Sequence, residues 1–141
     1  MNTLYIASDH AGVDLKTKLQ TTALFANYKV VDLGPNSADS VDYPDFAHPL
    51  AEKVGANENA LGVLICGSGN GVCMTANKHK NIRAGLAWTE EIASLTKQHN
   101  NANVICIPAR FVSESDAETI VKAFLETEFE GGRHQRRVSK I

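Results

Sequence analysis

Five short apolar runs alternate with five segments of helical spacing, and that alternation limits the folds open to this chain more than any other feature. The runs are residues 3–7 (TLYIA), 28–33 (YKVVDL), 61–66 (LGVLIC), 82–88 and 103–107 (NVICI). Each is nearly continuous in apolar or β-branched residues, as a strand buried on both faces requires. Between them, Val13, Leu15, Leu19, Ala23 and Leu24 predict a helix over 12–26. A second helix is predicted over 43–54, with Pro44 in its first turn. A third runs from a glycine-rich loop to about residue 80. Thr89 caps a fourth that reaches about residue 100, and Ser115 caps a fifth that reaches about residue 128. Strands that alternate with helices join by right-handed crossovers into a parallel sheet with helices on both faces. The expected fold is therefore α/β, a five-stranded parallel sheet in a three-layer domain. With 141 residues and no repeat, linker or low-complexity stretch, one domain over 1–141 is expected.

Charge is mild overall and uneven locally. Fourteen Lys and Arg against sixteen Asp and Glu give a net −2, which excludes a generally basic nucleic-acid coat. The last eleven residues, GGRHQRRVSKI, hold four bases and no acid. Arg133, Arg136 and Arg137 stand at i, i+3 and i+4, so a helix would gather them on one side. Gly131 and Gly132 would let that helix turn away from the body and reach a neighbouring subunit. No apolar run approaches the roughly 20 residues needed to cross a bilayer. The start, MNTLYIASDHAG, lacks the long apolar stretch of a signal peptide. A soluble, cytoplasmic protein without nucleic-acid or membrane partners is expected.

In parallel α/β sheets, ligands bind beyond the carboxyl ends of the strands. After the first strand come Ser8, Asp9, His10, Ala11 and Gly12. Asp9 is there either a site carboxylate or a helix cap, and His10 either a ligand residue or a surface side chain. After the third strand, Cys66 leads into Gly67-Ser68-Gly69-Asn70-Gly71. Glycines at alternate positions let the backbone approach a ligand, and a following helix points free N–H groups at it. That arrangement suits a phosphate or a developing oxyanion. Cys66 is either a small core hydrophobe or a thiol activated at a helix N-terminus. Cys73 and Cys106 lack that setting and are expected in the core. An odd number of cysteines argues against a disulfide framework. His99 and Asn100 end the fourth helix, Arg110 follows the fifth strand, and Tyr43 follows an acidic loop. Each of these also has a plainer assignment as a cap, a surface ion pair or a packing residue. His48 and His79 fit no pattern.

Several chemistries are absent. No two histidines sit at metal-ligand spacing, and the cysteines, with six and then thirty-two residues between them, match no zinc pattern. The loop is neither a dinucleotide fingerprint nor a P-loop. Ser68 lacks the first glycine of a serine elbow. A thiol, histidines, an anion-friendly loop and arginines remain, which suit metal-free proton transfer on a small phosphorylated molecule.

Taken together, SDHAG at 8–12, DYP at 42–44, CGSGNG at 66–71, ANK at 76–78, HNNAN at 99–103 and EGGRHQRR at 130–137 resemble the type B ribose-5-phosphate isomerase family, which includes the galactose-6-phosphate isomerase subunits. The resemblance spans essentially the whole chain. It implies a Rossmann-like fold, no cofactor, no metal, and a homodimer, with a tetramer left open, whose sites lie between subunits. It implies interconversion of D-ribose 5-phosphate and D-ribulose 5-phosphate in the pentose phosphate pathway. By that resemblance Cys66 is the base at C2, Ser68 moves protons between O1 and O2, and His99 opens the furanose ring. Asp9 and His10 bind substrate, and Gly67, Ser68, Gly69, Asn70 and Gly71 hold the enediolate oxygens with Asn100. Arg110 binds phosphate, as do Arg133 and Arg137 from the other subunit, while His134 and Tyr43 line the site.

Some relatives have glycine in place of this cysteine and use a glutamate directly after the loop. Here that position is Val72, which takes no proton, so Cys66 is the loop's one candidate base. The cysteine also favours a self-sufficient homo-oligomer over a subunit type that lacks it. Two alternatives remain: an isomerase of a six-carbon phosphate (allose 6-phosphate or galactose 6-phosphate), or a non-catalytic sugar-phosphate sensor.

Overall fold

The structure is a computed structural model and describes residues 1–141. Strands β1 (Asn2–Ser8), β2 (Tyr28–Asp32), β3 (Leu61–Cys66), β4 (Ala84–Leu86) and β5 (Val104–Pro108) form one parallel sheet in the order β2-β1-β3-β5-β4. Helices α1 (Val13–Gln20), α2 (Pro44–Gly55), α3 (Asn70–Ala76), α4 (Glu90–Asn100), α5 (Glu114–Glu126) and α6 (Arg133–Val138) complete it. The period-two alternation of a strand divides the apolar runs between two cores. Ile6, Ile65 and Ile107 enter one with Leu19 of α1 and Phe124 of α5. Ala7, Leu64, Cys66 and Cys106 enter the other with Leu50 of α2 and Val72 of α3. The expected three-layer α/β architecture is present. No helix is long and apolar enough to cross a membrane.

Side chains that bond to nearby backbone move several element ends. The helix expected over 12–26 is a 3-10 turn (His10–Gly12), α1, and a second 3-10 turn (Ala23–Phe25). The Thr21 and Thr22 hydroxyls donate to the Lys18 and Leu19 carbonyls, and that competes with further helix. The helix expected to reach residue 80 stops at Ala76. Just beyond it, the Asn77 amide donates to the Ala84 carbonyl and accepts from its N–H, at 2.9 and 2.8 Å. β4 spans three residues rather than seven, since the Arg83 N–H is taken by the Asn103 side chain. Ser113, not Ser115, caps α5, with its hydroxyl accepting from the Asp116 N–H. Cys73, expected in the core, is half-buried and donates to the Ala84 carbonyl, whereas Cys106 is buried, which pushes its thiol up.

Lys16 is the one buried lysine. Its Nζ donates to Asp32 Oδ1 at 2.7 Å and to the Pro35 carbonyl at 2.8 Å, tying α1 to the end of β2. Burial opposes the Asp32 charge, but hydrogen bonds from Lys16, Gln20 and the Gly34 N–H outweigh it and hold the carboxyl below its ordinary value. Lys16→Met is expected to cost about 2 kcal/mol, because it leaves the carboxylate and the Pro35 carbonyl without this donor while Asp32 keeps some water. A carboxyl depressed in the folded state stabilises above its unfolded pKa of about 4, and that support is lost as pH falls through the folded value. Thermal melts at neutral and acid pH check this: the gap between the two proteins must shrink in acid.

Candidate active site

The chain moves outward from β1 to β2 and then crosses to β3 on the other side of β1. This makes a switch point between the carboxyl ends of β1 and β3, where open α/β sheets bind ligands. Ser8 lies beside Ile65 there, and the Asp9 N–H donates to the Ile65 carbonyl at 3.1 Å. Asp9, Cys66, Ser68, Arg110 and Tyr43 line one cleft of about 540 Å³, together with Gly67, Gly71 and Phe111. That volume suits a small phosphorylated molecule.

Cys66 is the last residue of β3, a free and buried thiol. Val72, at the position where some relatives carry glutamate, is fully buried in the core. Gly69 has φ 74°, and a Cβ there would lie 2.5 Å from Leu86 Cδ1, so the turn into α3 needs glycine. Ser68 Oγ accepts from the Asn70 N–H at 3.3 Å. The Ser68, Gly69 and Gly71 N–H groups have no acceptor in the protein and are free to bind an anion. At Gly71 a Cβ would come 2.6 Å from the Tyr43 ring, so glycine is what lets Tyr43 lie across the loop.

The cap and site assignments of Asp9 hold together. Oδ1 accepts from the Ala11 N–H at 2.9 Å and caps the 3-10 turn, and the carboxylate also borders the cleft. His10 follows Asp9 but does not line the cleft, and its Nδ1 accepts from the Val41 N–H at 3.2 Å. In the neutral ring the proton is then on Nε2. The bond ties the loop after β1 to the segment that carries Tyr43. Arg110 lies on the loop: a Cβ on Gly67 would sit 3.0 Å from its Nη1, and its N–H donates to the Gly67 carbonyl. Phe111, which sequence reasoning missed, is exposed at the cleft. Its only signal was an aromatic beside Arg110 in a strand-end turn.

The other expected site residues gather elsewhere. α4 runs back from the carboxyl edge, so its last residues, His99 and Asn100, lie at the amino edge of the sheet. The Glu130 N–H donates to the Gln98 carbonyl at 3.1 Å and docks the C-terminal segment there. Gly131 and Gly132, both with positive φ, then turn the chain into α6, which holds the exposed Arg133 and Arg137 and the buried His134. The His99 and His134 rings stack with centroids 4.3 Å apart. Burial and then the charges of His99 and Arg133 push the His134 pKa down, with Arg137 acting in the same direction. At about 1.5 Å per residue the eleven residues of α4 span about 16 Å, and the six of β3 span about 20 Å at about 3.3 Å per residue. One chain therefore holds two half-sites at opposite edges. It does not bring Cys66 and His99 together.

The fold also makes groupings that spacing concealed. Ligand atoms of His99, Glu130 and His134 lie within 4.8 Å of one another, close enough for a metal ion. The neighbouring Arg133 and Arg137, whose charges act on His134, oppose a cation there. His48 Nδ1 and His79 Nε2 are 2.6 Å apart on α2 and just after α3, outside both half-sites.

Three comparisons bear on this arrangement. A family model described as Ribose/Galactose Isomerase matches residues 4–141. The chain is 51% identical over 140 residues to a probable ribose-5-phosphate isomerase B of Mycoplasma genitalium, covering 98% of this chain and 92% of the relative. It is 38% identical over 141 residues to the ribose-5-phosphate isomerase B of Escherichia coli, covering 100% and 95%. The crystal structure of the Mycoplasma genitalium ribose-5-phosphate isomerase B with bound ribulose-5-phosphate superposes with TM-score 0.94 at 50% identity, covering 98% and 92%. That of the Thermotoga maritima ribose 5-phosphate isomerase gives TM-score 0.93 at 42% identity, covering 99% and 96%. A match over residues 4–141, with relatives of the same fold covered to 92% or more of their length, makes this chain a member of the ribose/galactose isomerase family.

Proposed function

We propose that this protein is an aldose–ketose isomerase that interconverts D-ribose 5-phosphate and D-ribulose 5-phosphate by proton transfer through an enediolate. The observation that carries the reading is the meeting of the Cys66 thiol, the free loop amides, Ser68 and Asp9 in one cleft. A base and oxyanion donors side by side are what an enediolate route needs. In this reading His99 protonates the ring oxygen while Asp9 accepts the O1 proton, and the ring opens. Cys66 takes the C2 proton and returns it to C1, as Ser68 passes a proton between O2 and O1. The loop amides and Asn100 hold oxygens whose charge peaks in the transition state, where binding accelerates the reaction. Arg110, Arg133 and Arg137 hold the phosphate, which does not react but fixes the sugar's position. Tyr43, His10 and His134 shape and orient the walls.

The same reading makes the enzyme a homodimer. The thiol half-site and the histidine–arginine half-site lie at opposite edges of the sheet in one chain, separated by about the 16–20 Å lengths of α4 and β3, beyond the reach of one pentose phosphate. A second copy set against the carboxyl edge supplies His99, Asn100, Arg133, His134 and Arg137 to the Cys66 of the first, and the reverse holds by two-fold symmetry. The basic segment over 131–141 thus serves the neighbour's site.

The first test is turnover of ribose 5-phosphate in EDTA, followed by ketose absorbance. Ketose formation in the presence of chelator is the expected outcome. Turnover restricted to allose 6-phosphate or galactose 6-phosphate would move the reading to a six-carbon sugar. Binding without turnover of any of them would leave a sensor.

A further inference from the structure

His99 shares its carboxylate. Its Nε2 lies 3.5 Å from Glu130 Oε1, and the same oxygen lies 3.6 Å from His134 Nε2. The His134 ring stacks on His99 with 12° between planes, which fixes the plane of the His99 imidazole. Glu130 itself is held by its backbone N–H on the Gln98 carbonyl, so its position does not depend on the side-chain contacts. Several cationic groups gather around this end of α4. Arg133 and Arg137 come from α6, Arg83 bonds the Asn100 and Asn101 carbonyls, and Lys97 bonds the Ala102 carbonyl. Glu130 is the one carboxylate that faces either ring.

We infer that Glu130 is a positioning residue for His99, an inference that rests on the ring-opening role proposed above. With the carboxylate 3.5 Å away, the Nε2–H turns towards Glu130 as a long ion-pair contact, and Nδ1 is the nitrogen left for the sugar. An imidazole free to flip would present either nitrogen, whereas a carboxylate partner selects one orientation and stabilises the imidazolium needed to donate a proton. The step balances. The bond between C1 and the ring oxygen breaks with its electron pair on oxygen, which takes the proton from Nδ1. The C1 hydroxyl gives its proton to Asp9 as the carbonyl forms, and Nε2–H stays with Glu130.

The test is Glu130→Gln, which keeps an acceptor oxygen and removes the charge. Turnover of ribose 5-phosphate is expected to fall about 10- to 100-fold, the usual cost of losing a group that orients a reacting imidazole. Inhibition by inorganic phosphate is expected to hold within about twofold, since α6 stays docked through the Glu130 backbone. Glu130→Asp, which keeps the charge, is expected to recover part of the loss at neutral pH. In a His99→Asn background, Glu130→Gln is expected to add no further loss. Unchanged turnover, an additive loss in that background, or phosphate binding that weakens in parallel with turnover overturns the inference. A wild-type protein that turns over no sugar phosphate overturns the functional reading as well, and the two failures are distinct.

Discussion

Cys66→Ala lowers turnover of ribose 5-phosphate by about 10²–10⁴-fold, the range typical for removing a general base. Inhibition by inorganic phosphate is expected to stay within about twofold, because in the proposed site Arg110, Arg133 and Arg137 bind a group remote from C2. The separation of rate from binding follows from position. Cys66 ends β3 inside the cleft, and its nearest anion-binding groups are loop amides and Arg110, which alanine leaves in place. The side chain is small and nearly enclosed, so its loss costs about 1 kcal/mol of stability and the variant folds. Ketose absorbance measures the rate, and phosphate competition measures the binding. A variant that kept turnover within tenfold of wild type would pass the base role to Asp9, the other proton acceptor in the cleft, and Asp9→Asn would then carry the loss.

The second large effect is a recovery. Cys66→Ala and His99→Asn each keep only a small residue of turnover as pure proteins, and mixing them restores far more activity than either has alone. In a mixed dimer of the proposed arrangement, Cys66 of one subunit would meet His99 of the other at one site, and both lesions would meet at the second. Random exchange makes half of the dimers mixed, each with one intact site, for about one quarter of wild-type activity. Subunit exchange after mild denaturation, followed by the ketose assay, measures it. No recovery would mean that both residues act from the same subunit, against the distance between the two half-sites.

The amino acid order exposed the sheet well and the ends of its helices poorly. LGVLIC reads as a strand because residues buried on both faces need no alternation, and β3 covers those six residues. The tail helix was legible from the spacing of Arg133, Arg136 and Arg137 after two glycines. Thr22, Asn77 and Ser113 decided where other elements stop, because a short polar side chain bonds whichever backbone group the fold brings near. The cleft was legible in part. Asp9, Cys66 and Arg110 stand at or just beyond the ends of three different strands, and a parallel sheet puts all those ends on one edge. Phe111 was missed because one exposed aromatic in a turn carries no pattern.

Local order was enough to determine that this chain makes a parallel sheet, that its carboxyl edge carries a thiol beside an anion-binding loop, and that a basic helix follows the body. Those properties depend on periodicity and on neighbours within a few residues. Only the tertiary structure decided that His99, Asn100, Arg133 and Arg137 lie at the far edge from Cys66, because α4 returns along the sheet before it ends. Only it brought Glu130 beside two imidazoles, because that contact joins the end of α4 to a turn thirty residues later. Contacts between segments distant in sequence are set by packing of whole elements, and residue spacing along one chain does not encode them.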